Sequence, residues 1–298
     1  MRKIAAFIMA GRLQAVTVAV LLAILSVMAP PLTLLSGSVV ALVALRRGGT
    51  QALLVIGWGT ALLGLLSLGL FGQIQLGLIY GLVQWLPVLA FALLLRRTAS
   101  WALVMQVLGL VGVAGVLVAH VLYPHIAQFW QSVLQVSLQD TLQRVGMNAK
   151  QASDAILHMA QYFTGIFAIS LALSISLSLM LGRTWQAMLY NPGGFREEFT
   201  HWRMSSVLAG AMLAVAALAL LLRNALLVEL MIVGLVPFLM QALGLVHGLV
   251  KQSGLNVGWL VGLYALLLFA TLQMAALLSA VGIADCFVDI RSRLAKRS

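Results

Sequence analysis

About nine apolar runs follow one another along the chain, separated by short punctuation that carries arginine pairs or turn residues. They cover residues 13–29, 32–45, 51–71, 76–95, 99–123, 162–181, 205–222, 225–250 and 257–284. Crossing a hydrocarbon core about 30 Å thick takes roughly 20 apolar residues as a helix, and several runs reach that length without a charge. Backbone in lipid must satisfy its own N–H and C=O groups, so the spanning forms are helices and closed barrels. A barrel needs alternation of polar and apolar residues, and stretches such as 211–222 show none. The pattern predicts an all-α polytopic transmembrane bundle of eight or nine helices, forming a single integral membrane domain over 1–298.

Two stretches depart from it. Residues 124–158 are rich in glutamine, with Trp130, Leu134, Leu138, Leu142 and Val145 near helical spacing. Asn148, with Gln151 three residues on, marks the start of a second helix that leads into the next run. The segment reads as a periplasmic amphipathic helical hairpin, either a lid packed on the bundle or a gate and docking surface. Residues 190–204 combine a polar turn with a short charged helix, on which Phe195, Phe199 and Trp202 share one face. This is the pattern of a cytoplasmic interfacial helix, and those three aromatics are candidates for docking a partner.

Charge adds a topology. Lys and Arg number 18 against 7 Asp and Glu, for a net charge of +11, with 8% charged and 62% hydrophobic residues and a mean hydropathy of +1.07. The basic residues are scattered in ones and twos beside apolar runs, which suits membrane lipids and excludes a nucleic-acid partner. Arg46-Arg47 and Arg96-Arg97 close every second run. The positive-inside rule then puts the N-terminus and both pairs in the cytoplasm of a bacterial inner membrane. The opening residues resemble a signal peptide with a cleavage point after Ala29, but the later spans favour an uncleaved first helix. Nine crossings would place the basic tail outside, so either the tail breaks the rule or one of 32–45 and 225–250 does not cross.

Candidate chemistry is sparse. Cys286 is the only cysteine, which excludes an internal disulfide and a multi-cysteine zinc site. No phosphate loop, dinucleotide fingerprint or paired-histidine metalloprotease helix is present, so no enzyme and no cofactor is expected. Glu229 lies inside an apolar run, where an unpaired charge is costly. Arg223, a polar cavity or a proton could each compensate it. His247 follows five helical turns later and would share its face on a straight helix, with Pro237 between them as a kink or break. Ser170, Ser174 and Ser178 form a stripe that either glues helices together or lines a cavity. With Gln241 these residues make a candidate polar cavity. His120 and His125 read as interfacial histidines without a ligand role.

Tyr190-Asn191-Pro192-Gly193-Gly194-Phe195, Glu197-Glu198-Phe199 and the ending Asp285-x-x-x-Asp289-x-Arg291 resemble the YybS-like predicted bacterial membrane proteins, a family without established biochemical function. That family is distantly similar to the S components of energy-coupling-factor vitamin transporters. The resemblance implies a coupling subunit met through an Ala-x-x-x-Ala face, for which Ala6/Ala10 and Ala15/Ala19/Ala23 have the spacing. The expected function is a substrate-binding or membrane subunit of a small-molecule transporter, working with other membrane or cytoplasmic subunits. The alternative is a membrane scaffold or assembly factor.

Overall fold

A computed structural model describes residues 1–295, and every regular element among them is helical. The apolar runs coil as expected, but several break where hydropathy does not. The first run becomes α2 (Arg12–Leu25), preceded across an extended Gly11 by α1 (Arg2–Ala10), a helix outside the nine runs. Then come α3 (Leu32–Arg47) and α4 (Gly49–Phe71), which ends in a left-handed Gly72 whose amide returns to Leu68 O. α5 (Ile74–Tyr80) and α6 (Leu86–Thr98) are one continuous rod, widened to a π-helical turn over Gly81–Trp85. The wide turn sits just before Pro87, whose ring removes a donor and crowds the carbonyl four residues back.

α7 (Trp101–Leu122) leads to α8 (Ile126–Arg144) and α9 (Ala149–Ala160). Asn148 and Gln151 close a reciprocal capping box at the start of α9. Leu134, Ile156 and Ala160 form the hairpin's own small core, with Trp130, Leu138 and Leu142 against it. Val145, by contrast, is exposed. α10 (Phe163–Tyr190), α11 (Gly194–His201) and α12 (Ser206–Leu222) follow. The run 225–250 is α13 (Ala225–Gly234) and α14 (Val236–Gln252), interrupted at Leu235 ahead of Pro237. The run 257–284 splits at Ala270 into α15 (Gly258–Phe269) and α16 (Thr271–Val288), and α17 (Ile290–Ala295) ends the described chain. Neither Gly nor Pro marks that split; Thr271 Oγ1 instead bonds Leu268 O at 3.3 Å, competing with the backbone ladder.

Among the described residues, six helices are long and apolar enough to cross a membrane. A seventh is reached if α11 and α12, bent by 58°, make one span. By length and composition this is a multi-pass membrane protein. The expected eight or nine crossings would have to include short helices such as α2 and α15. At about 1.5 Å per residue, the 12-residue α15 reaches only about 18 Å.

The chain forms two compact units. The first holds Met1–Met105 and Leu173–Trp202 and is built around α3, buried throughout residues 36–45. Buried Trp85 donates to Ser36 Oγ at 3.0 Å, which donates to Ala19 O at 2.8 Å. Several basic residues of this unit meet at one end of it. Arg12 bonds Gln51, Arg47 bonds Met9 O, Arg96 bonds Ala44 O, and Arg46 lies 4.1 Å over the Tyr190 ring.

The second unit holds Gln106–Ala172 and Arg203–Ser298. Its central helix is α14, buried throughout residues 236–245. α16 packs so closely that a Cβ on Gly282 would run into the Phe238 carbonyl. α15 has no buried residue.

Candidate functional site

In the second unit a buried acid is met where α7, α10 and α13 converge. α13 begins at Asn224, whose side chain caps the Leu227 amide, and this sets Glu229 on the buried face. Glu229 Oε1 accepts from the Gly165 amide at 2.8 Å, and the Thr164 amide also faces the carboxylate. These are two of the first amides of α10, which have no partner inside their own helix. Glu229 therefore caps α10 from a neighbouring helix, and the helix dipole favours a negative group there. Gly165 is needed for the approach, because a Cβ would sit 2.8 Å from Glu229 Cβ and 2.9 Å from its Cα.

His120, in the last turn of α7, supplies the other side. Its Nε2 lies 3.1 Å from Glu229 Oε2, an ion-pair contact outside hydrogen-bond geometry. Its Nδ1 lies 3.0 Å from Val116 O, and since a carbonyl only accepts, Nδ1 carries a proton. The acid's side chain is 1% exposed and the imidazole 25%, so His120 is the member that reaches outward. Trp130 of α8 donates to Thr164 Oγ1 at 2.9 Å and packs on Phe163, tying the hairpin to the same helix end.

The other expected site residues are placed elsewhere. Compensation for Glu229 comes from His120, while Arg223 is an exposed, left-handed C-cap residue of α12. His247 bonds Leu243 O at 2.8 Å and stacks edgewise on Tyr264, 5.8 Å between ring centres. Buried Gln241 accepts from the Met204 amide at 2.7 Å and donates to Asp285 Oδ2 at 2.9 Å and Gly282 O at 3.1 Å. Asp285 in turn accepts from the Ile290 amide at 3.0 Å and lies 3.8 Å from Arg291. Burial pulls the Arg291 guanidinium below its ordinary range, opposed by the charges of Asp285 and Asp289. This cluster fastens the ends of α14 and α16 to the segment before α12.

The serine stripe is divided between the units. Exposed Ser170 bonds its own helix at Ile166 O. Ser174 exchanges bonds with Gln84 at 2.8 and 3.2 Å, and Ser178 donates to Leu34 O at 3.1 Å. All three serines thus bond within their own unit. The docking aromatics also turn inward: Phe195 packs on Trp101 and Phe199, and Trp202 is buried. Glu198 of α11 accepts from two of the Arg183 nitrogens, Nε and Nη2, and from the Trp101 indole N–H, which holds the helix down. Ala15, Ala19 and Ala23 are buried between α2 and its neighbours, so this face is spent inside the first unit.

A crevice of about 160 Å³ in the second unit is lined almost wholly by carbon, including Leu110, Met212, Leu230 and Phe238. No group of three or more metal-ligating side chains exists among the described residues. Sequence reasoning missed His120, Gly165 and Thr164 as partners of the acid. Helical spacing relates residues within one element, and these three lie on two others. No protein-family model, curated protein or solved structure matches this chain.

Proposed function

We propose that the chain is a membrane subunit of a small-molecule transport system, with Glu229 and His120 as its proton-binding element. The supporting observation is a buried acid within a spanning helix that caps the end of a second helix and meets a partly exposed histidine of a third. Gain or loss of a proton here would change what holds α7, α10 and α13 together, and that is how a bundle couples a proton to a conformational state. The orientation in this reading follows the charge rule: arginine pairs and N-terminus in the cytoplasm of a bacterial inner membrane, hairpin α8–α9 on the periplasmic face. Eight or nine helices enter the bilayer when short ones such as α2, α3 and α15 are counted.

A scaffold role is favoured by a different observation: α15 is apolar and has no buried residue, and most of the other candidate polar groups bond within the chain. Proteoliposomes with an internal pH dye, screened against a metabolite panel, separate the two. Transport predicts a metabolite-dependent proton signal that Glu229→Gln removes. Because a glutamine still accepts from the Gly165 amide, the variant should stay folded, with a midpoint lowered only by the loss of the charge at the α10 N-terminus and beside His120. If no metabolite gives a signal, and deleting residues 126–160 strips co-purifying proteins from the gently extracted protein, the scaffold reading replaces it.

A further inference from the structure

A second site lies in the first unit. A groove of about 460 Å³ runs beside the end of α10 and is lined by Arg2 and Arg196, with Ala187, Met188, Leu189 and Phe195 among its apolar walls. Both arginines are exposed, and no carboxylate lines the groove. Of the two acids on α11, Glu198 is committed to Arg183 and Trp101. The groove belongs to the end of the unit where Arg46 lies over Tyr190.

The length of α10 fixes its depth. Residues 163–182 carry no charge, and twenty helical residues at about 1.5 Å each match a hydrocarbon core of about 30 Å. Arg183 and the residues after it therefore stand at headgroup level. A pair of guanidinium groups over an apolar wall at that depth complements one kind of molecule, a phosphate-bearing headgroup that continues into acyl chains. Arginine suits it through its fixed fork of donors to phosphate oxygens.

We propose that Arg2, Arg196 and the apolar wall between them form a binding site for an anionic phospholipid. Full-length protein in detergent, titrated with phosphatidylglycerol or phosphatidylcholine and read by native mass spectrometry, tests it. Phosphatidylglycerol should remain bound where phosphatidylcholine is lost. Arg2→Gln and Arg196→Gln should each weaken retention about fivefold, the value of one basic residue near an anionic surface, and together about twentyfold or more. Arg97→Gln, an exposed arginine outside the groove, should leave it unchanged. Thermal midpoints without lipid show whether each variant is folded, and lipid competition by the intact parent against an unlabelled pool covers any that is not. Three results overturn the proposal: equal retention of both lipids, an Arg97→Gln loss as large as the others, or displacement of the lipid by millimolar inorganic phosphate or glycerol phosphate. The last would assign the groove to a soluble phosphate compound.

Discussion

The contact between α10 and α13 makes a demanding prediction for Gly165→Ala. In a helix interior alanine is favoured over glycine by about 1 kcal/mol, so propensity alone says the variant is more stable. The structure says otherwise. The added methyl would lie 2.8 Å from Glu229 Cβ and 2.9 Å from Cα and Cγ, against an ordinary carbon separation of about 3.5–4.0 Å. Two of these atoms are backbone or backbone-attached, so no rotamer change relieves the contact, and the helices must part by several tenths of an ångström. Overpacking of this kind costs about 1–3 kcal/mol. Parting the helices also stretches the 2.8 Å bond from the Gly165 amide to Glu229, and a hydrogen bond to a charged group contributes about 1.5–3 kcal/mol. Against the alanine gain, the net loss is about 1.5–5 kcal/mol. Thermal or denaturant unfolding in a fixed detergent measures it. Gly57→Ala is the control, since a Cβ there meets nothing within 4 Å and should be neutral or mildly stabilising. If Gly165→Ala matched that control, the close approach that defines the site would be wrong.

Two further outcomes follow from the polar contacts. Gln241→Leu strands the buried Met204 amide and removes a partner of Asp285, at about 1–3 kcal/mol per stranded group, so the unfolding midpoint should fall and proteolysis near α17 should quicken. Glu198→Gln leaves Arg183 without its bidentate anion and should cost about 1–2 kcal/mol, with cleavage in α11 as the direct readout; unchanged protection would show that aromatic packing alone holds this helix.

Much of the architecture was legible in the residue order. The capping box at Asn148 and Gln151 and the apolar line Trp130, Leu134, Leu138, Leu142 announce the hairpin, because caps and helical spacing are local devices. The site was only half legible. Glu229 stands out as an acid in an apolar run, but His120 carries no mark of being its partner, and His247, which shares its run, bonds elsewhere. Of the three aromatics expected on one face, Phe195 and Phe199 stack on α11 and Phe195 packs on Trp101, while Trp202 follows the helix in extended backbone and is buried.

Sequence alone determined the solvent and the elements: runs too long and too apolar for water must coil in lipid, where backbone groups bond to themselves. Tertiary structure alone decided where those coils break and what each buried polar group meets. Lipid is as apolar as leucine, so hydropathy gives no preference for one helix pairing over another. Pairing is left to steric fit and hydrogen bonds, such as a missing Cβ at Gly165 or an open helix end that needs a carboxylate. Those are properties of two surfaces brought together, and no single run of residues contains them.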